Sequence, residues 1–248
     1  MDQNRCVGVI VPAAGCGSRM GTRQKKQYLT LKNLEILERT LIGLLREPLL
    51  ESVWITVPEE DLEALAVKIA KWKVKHDWIQ HIEVIAGGAT RQSSVYNALI
   101  KMNGKCDIVI VHDGVRPFVP QNWIKTHVSK LSCVNGLSAG FASVDTVKRV
   151  DDEQCVVETL NRDQLWNVQT PQMFNYKTLL HAHQCAIEER FVGTDDMSLL
   201  ERIGEKVLLV PCERYNIKIT TPYDLVIGEA IAMWLEENVD KENCNESR

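Results

Sequence analysis

Residues 6–31, CVGVIVPAAGCGSRMGTRQKKQYLTL, decide how the rest of the chain is read. Positions 6–11 are apolar and rich in β-branched residues, the composition of a strand buried on both faces of a parallel sheet. Pro12 has no backbone donor and suits the strand's end. Ala13, Ala14, Gly15 and Gly17 are all small, and Arg19, Arg23, Lys25 and Lys26 come soon after. A strand feeding a loop of small residues leaves backbone N–H groups along a concave path, and nearby cations supply what a polyphosphate needs. The spacing Gly15-x-Gly17-x-x-x-Gly21 is not the G-x-G-x-x-G of dinucleotide folds, and no Gly-Lys-Ser/Thr follows to make a Walker loop. No clear acidic residue closes a second strand about twenty residues on, as a nicotinamide site would want. A turn with solvated basic residues is the competing account of the same stretch.

Outward from this loop, strand and helix patterns alternate. Leu34, Leu37, Leu41, Leu44 and Leu45 mark one helical face, and VWITV at 53–57 is a second strand. Helical spacing over 61–74 leads to a third strand at 82–85, and a helix over 91–99 to a fourth, DIVIV, at 107–111. A further strand is expected at 137–144. The alternation predicts a mostly parallel sheet covered on both faces. The pattern then changes. Residues 147–150 and 155–160 flank an acidic turn, Asp151-Asp152-Glu153, and predict a hairpin with little apolar backing. Such a hairpin projects, and a second subunit is the simplest surface to receive it; a surface hairpin with no partner is the alternative. Helices are expected at 179–188 and 197–203, and short strands at 207–210 and 216–219. Thr221-Pro222-Tyr223-Asp224 reads as a helix start, with a threonine cap, proline at the first helical position and a carboxylate at the third. That helix is expected to run to 235, with a polar, fraying tail beyond.

The 248 residues, 45% hydrophobic and 25% charged, have the profile of a soluble globular protein. A net charge of −4 argues against a nucleic-acid carrier, and no apolar run is long enough to span a membrane. No secretory leader is legible, and the eight cysteines lie scattered without metal-site spacing. The expectation is a cytoplasmic protein with reduced thiols.

Chemistry in such a sheet gathers at the carboxyl ends of its strands. The opening loop is one such place. A second is GGATRQSS at 87–94, where Ser93 or Ser94 reaches a base or ribose, or caps a helix. A third is HDGVRP at 112–117, where Asp113 either holds Mg²⁺ or is neutralised by Arg116. The fourth is YNIKIT at 215–220, whose single lysine, Lys218, is an edge residue or a phosphate ligand. Asp145, Thr146, Lys148 and Arg162 add polar groups near the hairpin, which a surface salt-bridge network explains equally well. The histidines show no metal-ligand pattern, and no G-x-S-x-G or H-E-x-x-H is present. A phosphate loop, basic residues and a strand-end acid together suggest nucleotidyl transfer. Cations then neutralise the repulsion between an anionic nucleophile and a triphosphate, and no side-chain nucleophile is required.

These pieces resemble the 2-C-methyl-D-erythritol 4-phosphate cytidylyltransferase family. The resemblance is carried by PAAGCGSRMG at 12–21, KQYL at 26–29, GGATRQSSV at 87–95 and HDGVRPF at 112–118. DTVKR at 145–149, RDQLW at 162–166, QTPQMF at 169–174, TDD at 194–196 and NIKIT at 216–220 complete it, in the family's order. It implies a three-layer αβα, Rossmann-like nucleotidyltransferase fold with a mostly parallel sheet and a projecting β-hairpin arm. One domain would span 1–236, with a dimerisation arm at about 142–168 exchanged in a homodimer, and 237–248 would be a polar tail.

The implied reaction joins CMP from CTP to 2-C-methyl-D-erythritol 4-phosphate, with Mg²⁺ and release of pyrophosphate, in non-mevalonate isoprenoid biosynthesis. Arg19 and Lys26 would grip the triphosphate and stabilise the transition state. Ala13, Ala14, Gly15 and Gly17 would meet cytosine or phosphate, and Gly88, Arg91 and Ser94 would lie near cytosine and ribose. Asp113 would sit by ribose and Mg²⁺. Arg116, Thr170 and Lys218 would approach the sugar phosphate, and Thr146 and Arg162 would serve the neighbouring subunit's pocket. Arg162 and Lys218 join Arg19 and Lys26 as the implied catalytic cations. A ribitol-5-phosphate cytidylyltransferase shares most of these motifs, although DTVKR followed by RDQLW looks more like the methylerythritol enzyme. A catalytically inactive dimeric binding or scaffold homologue is the non-enzymatic alternative. Two departures stand out: Lys25 where the family usually has proline, and Gly114-Val115 where it has small Ala-Ala or Ala-Val.

Overall fold

The apolar run that opens the chain forms the centre of the structure, a computed structural model that describes residues 5–15, 24–78 and 80–246. Strand β1 (Val7–Pro12) is followed by β2 (Thr30–Leu31), β3 (Leu34–Glu35), α1 (Ile36–Leu45), β4 (Leu50–Val57), α2 (Leu62–His76) and β5 (His81–Ala86). Next come α3 (Arg91–Met102), β6 (Ile108–Val111), α4 (Trp123–His127), β7 (Gly136–Ala142), β8 (Lys148–Val150) and β9 (Val156–Thr159). The chain finishes with β10 (Trp166–Asn175), α5 (Tyr176–Glu188), α6 (Met197–Arg202), β11 (Val207–Pro211) and α7 (Pro222–Glu246).

Seven strands make one sheet in the order β11-β7-β10-β6-β1-β4-β5. β1 lies parallel to β4 and β6, β4 to β5 and β11 to β7; β10 alone is antiparallel to both of its neighbours, β6 and β7. Side chains alternate across β1 with the two-residue period of a strand. Val9 and Val11 pack with Leu41 and Leu44 of α1, Leu65 and Ile69 of α2 and Trp123 of α4. Ile10 points to the other face, into a cluster with Val95 and Leu99 of α3, Leu179 of α5 and Leu200 of α6. This is the expected three-layer αβα arrangement with a mostly parallel sheet. A smaller cluster of Leu31, Ile36, Val115, Phe118, Ile219 and Ala232 fastens α7 beside β2.

The hairpin also forms. β8 and β9 make a separate two-stranded sheet, joined by an Arg149–Glu158 ion pair of 2.8 Å, with Val150, Val156 and Val157 exposed. The helix start at 221 is built as the sequence implies: Asp224 Oδ2 accepts from the Thr220 and Thr221 amides, both at 2.8 Å, and the Thr221 hydroxyl accepts from the Asp224 amide at 3.4 Å. α7 then continues to Glu246, beyond 235, where the apolar periodicity ends. No helix among the described residues is long and apolar enough to cross a membrane.

Other elements also differ from the sequence expectation, among them α4, which was not expected. Residues 34–35 pair with β2 rather than opening a helix. Residues 216–219 form no strand: Pro211 ends β11, and the segment is fixed by single contacts such as the Ile219 amide on the Val115 carbonyl at 2.9 Å. β10 was not expected because Pro171 interrupts its pattern, and proline is disfavoured inside a sheet. The β7–β10 register shifts between Val168 and Gln172, which accommodates Pro171 and takes Gln169 and Thr170 out of the ladder.

Candidate active site

Two loops from the carboxyl ends of β1 and β5 face each other. The Ala13 amide donates to the Thr56 carbonyl at 2.8 Å, and the buried Gln27 side chain donates to the Ala13 carbonyl at 2.8 Å. Gln27 thereby ties the segment that carries Lys26 to the start of the small-residue loop. Lys25 does not point to the cleft; it pairs with Asp61 at 2.8 Å and Glu60 at 3.0 Å. Its φ of −64° is one that proline also adopts. Opposite, a Cβ on Gly87 would lie 2.9 Å from both Ala14 Cβ and Ser94 Oγ, so glycine lets the two loops approach. Thr90 and Ser93 form a capping box on α3, which accounts for Ser93. Ser94 Oγ accepts from the Gly88 amide at 3.0 Å and donates to the Thr90 carbonyl at 2.8 Å, fixing the turn that lines the cleft.

Asp113, at the end of β6, is buried and meets three cations. Arg91 Nε is 3.2 Å from Oδ1, while Arg116 Nε at 3.2 Å and Lys218 Nζ at 3.0 Å share Oδ2. Burial alone would raise the carboxyl's pKa, but Arg91, Lys218 and Arg116 outweigh it and hold Asp113 far below the usual carboxylate range. The two readings of Asp113 are therefore not exclusive, since the neutralising pair with Arg116 is present and the carboxylate still lines the cleft.

The floor beneath Asp113 is polar and closely bonded, although Asn216 Oδ1 has no hydrogen-bond partner among the described residues. His112 Nε2 lies 3.0 Å from the Arg116 carbonyl, which can only accept, so Nε2 carries the proton. Nδ1 then accepts from the Thr170 hydroxyl at 3.2 Å, and the same hydroxyl accepts from the Asp113 amide at 3.1 Å. Asn216 donates to the Thr170 carbonyl at 2.7 Å, and its own carbonyl accepts from Arg116 at 2.9 Å and Gln169 at 3.1 Å. Arg91 is anchored on its far side by Asp196, at 2.6 Å, and Asp196 in turn pairs with the buried His183 at 3.1 Å.

Two cavities adjoin here. One, of about 260 Å³, is lined by Ala13, Ala14, Gly15, Lys26, Gly88 and Ser94 among others. The other, of about 610 Å³, is lined by Arg116, Gln169, Thr170 and Gln172 together with residues of α6 and β11. Arg91, Asp113 and Lys218 line both.

The structure thus gathers Ala13, Ala14, Gly15, Lys26, Gly88, Arg91, Ser94, Asp113, Arg116, Thr170 and Lys218 around one double cleft. Gly17 and Arg19 lie outside the described residues. Thr146 and Arg162 are exposed on the arm and line neither cavity; Arg162 donates instead to the Val144 carbonyl at 3.3 Å. Gln27, Gln169, Asn216, His183 and Asp196 were not singled out from the sequence, although all but His183 fall inside quoted motifs.

Among the described residues, no group of three or more His, Cys, Asp or Glu side chains could cage a metal. Asp113 is the carboxylate that lines both cavities, and its oxygens already accept from three cations. That donor set fits a hard divalent ion held mainly by phosphate oxygens and water, with one protein carboxylate, as Mg²⁺ commonly is.

A family model described as 2-C-methyl-D-erythritol 4-phosphate cytidylyltransferase matches residues 7–233. The chain is 39% identical over 227 residues to the 2-C-methyl-D-erythritol 4-phosphate cytidylyltransferase of Geobacter metallireducens, covering 90% of this chain and 96% of that protein. The protein of the same description from Desulforamulus reducens is 40% identical over 221 residues, covering 89% and 93%. Among solved structures, the 4-diphosphocytidyl-2C-methyl-D-erythritol synthase of Anaerococcus prevotii aligns with a TM-score of 0.80 at 30% identity, over 92% of this chain and 96% of that one. The 2-C-methyl-D-erythritol 4-phosphate cytidylyltransferase of Francisella tularensis gives 0.74 at 32% identity, over 91% and 99%.

The buried His112 gives this site a pH signature. Burial pushes its pKa from 6.5 down to about 4. An unfolded chain therefore takes up a proton near pH 6.5 that the folded chain refuses until pH falls to about 4. The stabilisation is fully present above about pH 6.5 and is lost as pH falls toward 4, a loss on the order of 3 kcal/mol. Urea unfolding at about pH 7 and about pH 4.5 should show His112→Asn losing roughly 2–3 kcal/mol less than the unmodified protein. Equal losses would contradict a neutral, buried His112.

Proposed function

Because the chain belongs to the 2-C-methyl-D-erythritol 4-phosphate cytidylyltransferase family, we propose that it transfers CMP from CTP to 2-C-methyl-D-erythritol 4-phosphate, releasing pyrophosphate, and that its double cleft holds the two substrates side by side. The observation that carries this arrangement is the common wall: Arg91, Asp113 and Lys218 face both cavities. The smaller cavity, between the two glycine loops, takes the nucleotide. The larger takes the polyol phosphate, with Arg116 and Thr170 at its inner end.

An oxygen of the acceptor phosphate attacks the α-phosphorus of CTP, a new P–O bond forms, and the bond to pyrophosphate breaks in line. No side chain becomes covalently attached. The protein's work is positioning and charge stabilisation. Lys26 neutralises the triphosphate and the charge gathering on the leaving pyrophosphate, with Arg19 assigned the same task. Lys218 stands between the two anions and offsets their repulsion. Asp113 keeps Arg91, Arg116 and Lys218 from repelling one another, and the acceptor position left on Oδ1 would take a ribose hydroxyl or help to hold Mg²⁺. Mg²⁺, when bound, neutralises charge on the triphosphate. Ser94 and Gly88 shape the wall for cytosine and ribose.

The arm serves a second subunit. Thr146 and Arg162 reach neither cavity of their own chain, and the hairpin exposes Val150, Val156 and Val157. A homodimer in which 142–168 crosses to the neighbour covers those side chains and brings Thr146 and Arg162 to its acceptor pocket. Residues 1–236 then act as one cytoplasmic nucleotidyltransferase domain, and 237–248 are a polar tail outside it.

Pyrophosphate release from CTP and Mg²⁺ should require 2-C-methyl-D-erythritol 4-phosphate; turnover with ribitol 5-phosphate alone would overturn the acceptor assignment, and no turnover with either would favour a binding protein. Lys26→Ala should lower kcat by roughly 10²–10³-fold with little change in Tm, whereas a near-normal kcat would remove Lys26 from the reaction. Arg162→Ala and Lys26→Ala subunits, each weak alone, should regain activity when mixed and allowed to exchange. Verified exchange without recovery would contradict a shared site.

A further inference from the structure

Arg91 is held in an unusual way for an arginine beside a carboxylate. Guanidinium groups favour two parallel bonds to one carboxylate. Here the group is divided: Nε meets Asp113 Oδ1 at 3.2 Å, and Nη1 meets Asp196 Oδ2 at 2.6 Å. Asp196 lines neither cavity and is essentially fully buried. It is clamped on its other sides as well. Its Oδ1 pairs with His183 Nε2 at 3.1 Å, and its amide donates to Gln172 Oε1 at 3.3 Å. Gln172 is itself fixed, donating to Ser138 Oγ at 3.2 Å and to Asp195 Oδ2 at 2.7 Å. Burial opposes ionisation of Asp196, but Arg91 and His183 outweigh it and keep the carboxyl charged.

We infer that Asp196 is a positioning residue for nucleotide binding: from outside the cleft it holds Arg91 between two carboxylates, so that the guanidinium does not turn fully onto Asp113. The inference rests on the assignment of Arg91 and Asp113 to the nucleotide side of the double cleft. Asp113 already accepts from Arg116 and Lys218. A bidentate Arg91 would occupy the remaining acceptor capacity of its carboxylate, leaving none for the nucleotide. Asp196 prevents this by competing for Nη1. His183 and Gln172 keep Asp196 from following Arg91, so the line from α5 through α3 to β6 sets where one cation stands. His183 Nδ1 has no hydrogen-bond partner among the described residues, so the part assigned to His183 is to donate from Nε2 to Asp196.

The test is a double-mutant cycle on the full-length enzyme, read as separate KM and kcat values at a temperature where every variant is folded by circular dichroism. Asp196→Asn should raise the KM for CTP about tenfold while kcat falls no more than about threefold. Arg91→Ala should raise the same KM, and adding Asp196→Asn to it should change that KM by less than about twofold, because the residue through which Asp196 acts is already gone. Fold-changes that multiply would show Asp196 acting independently of Arg91 and would overturn the inference. An unchanged KM in Asp196→Asn would overturn it too. An unchanged KM in Arg91→Ala would remove Arg91 from the nucleotide site and the inference with it, so the two failures are told apart. If Asp196→Asn does not fold, His183→Gln probes the same line from further back. It should raise the KM for CTP about threefold in the unmodified protein and leave it unchanged in Arg91→Ala; a rise of equal size in both backgrounds would contradict the proposal.

Discussion

One buried carboxylate meeting three cations is the interaction on which the rest of this site depends. A charge at the end of an inner strand is costly unless it is paired. Asp113 is paired three times, by Arg91 from α3, Arg116 from its own turn and Lys218 from the segment after β11. Two distant parts of the chain, α3 and the segment after β11, are thereby drawn to the end of β6. The same requirement explains the floor below. The Asp113 amide is fixed by Thr170, Thr170 by His112, and Arg116 by the Asn216 carbonyl.

That arrangement is also what makes the cleft suitable for joining two anions. Cations clustered without Asp113 would repel one another, and a carboxylate without them would repel a triphosphate. Held together, they give a wall that presents positive charge to both cavities. Phosphoryl and nucleotidyl transfer need such preorganised charge more than they need a reactive side chain. The fold contributes by placing the two glycine loops at the ends of β1 and β5, on either side of β4, close enough that Gly87 has no room for a Cβ.

Much of this was legible in the sequence, and the remainder was hidden for identifiable reasons. β1 announced itself because a central parallel strand is apolar on both faces. The ends of β5 and β6 were legible because Gly87-Gly88 and Asp113 break apolar runs where a sheet ends. β10 was hidden by Pro171, whose meaning depends on a register shift that no local pattern records. Residues 216–219 alternate like a strand, yet their alternation reflects Asn216 bonding to Thr170 and Lys218 to Asp113 while Ile219 packs in the core. Lys25 looked like one more cation of the phosphate loop, and only the turn at Glu60 and Asp61, far along the chain, explains it. Asp196 lay inside the quoted TDD motif, but its tie to Arg91 spans 105 residues and has no local signature.

The most direct test of the charge arrangement is the thermal unfolding of Asp113→Asn with and without pyrophosphate, beside the unmodified protein. With its carboxylate gone, the cluster keeps three cations and no shared anion. The variant should therefore melt below the unmodified protein in anion-free buffer, and pyrophosphate should raise its Tm by more than it raises that of the unmodified protein. Equal melting temperatures, with equal responses to pyrophosphate, would contradict the claim that Asp113 holds the cations together.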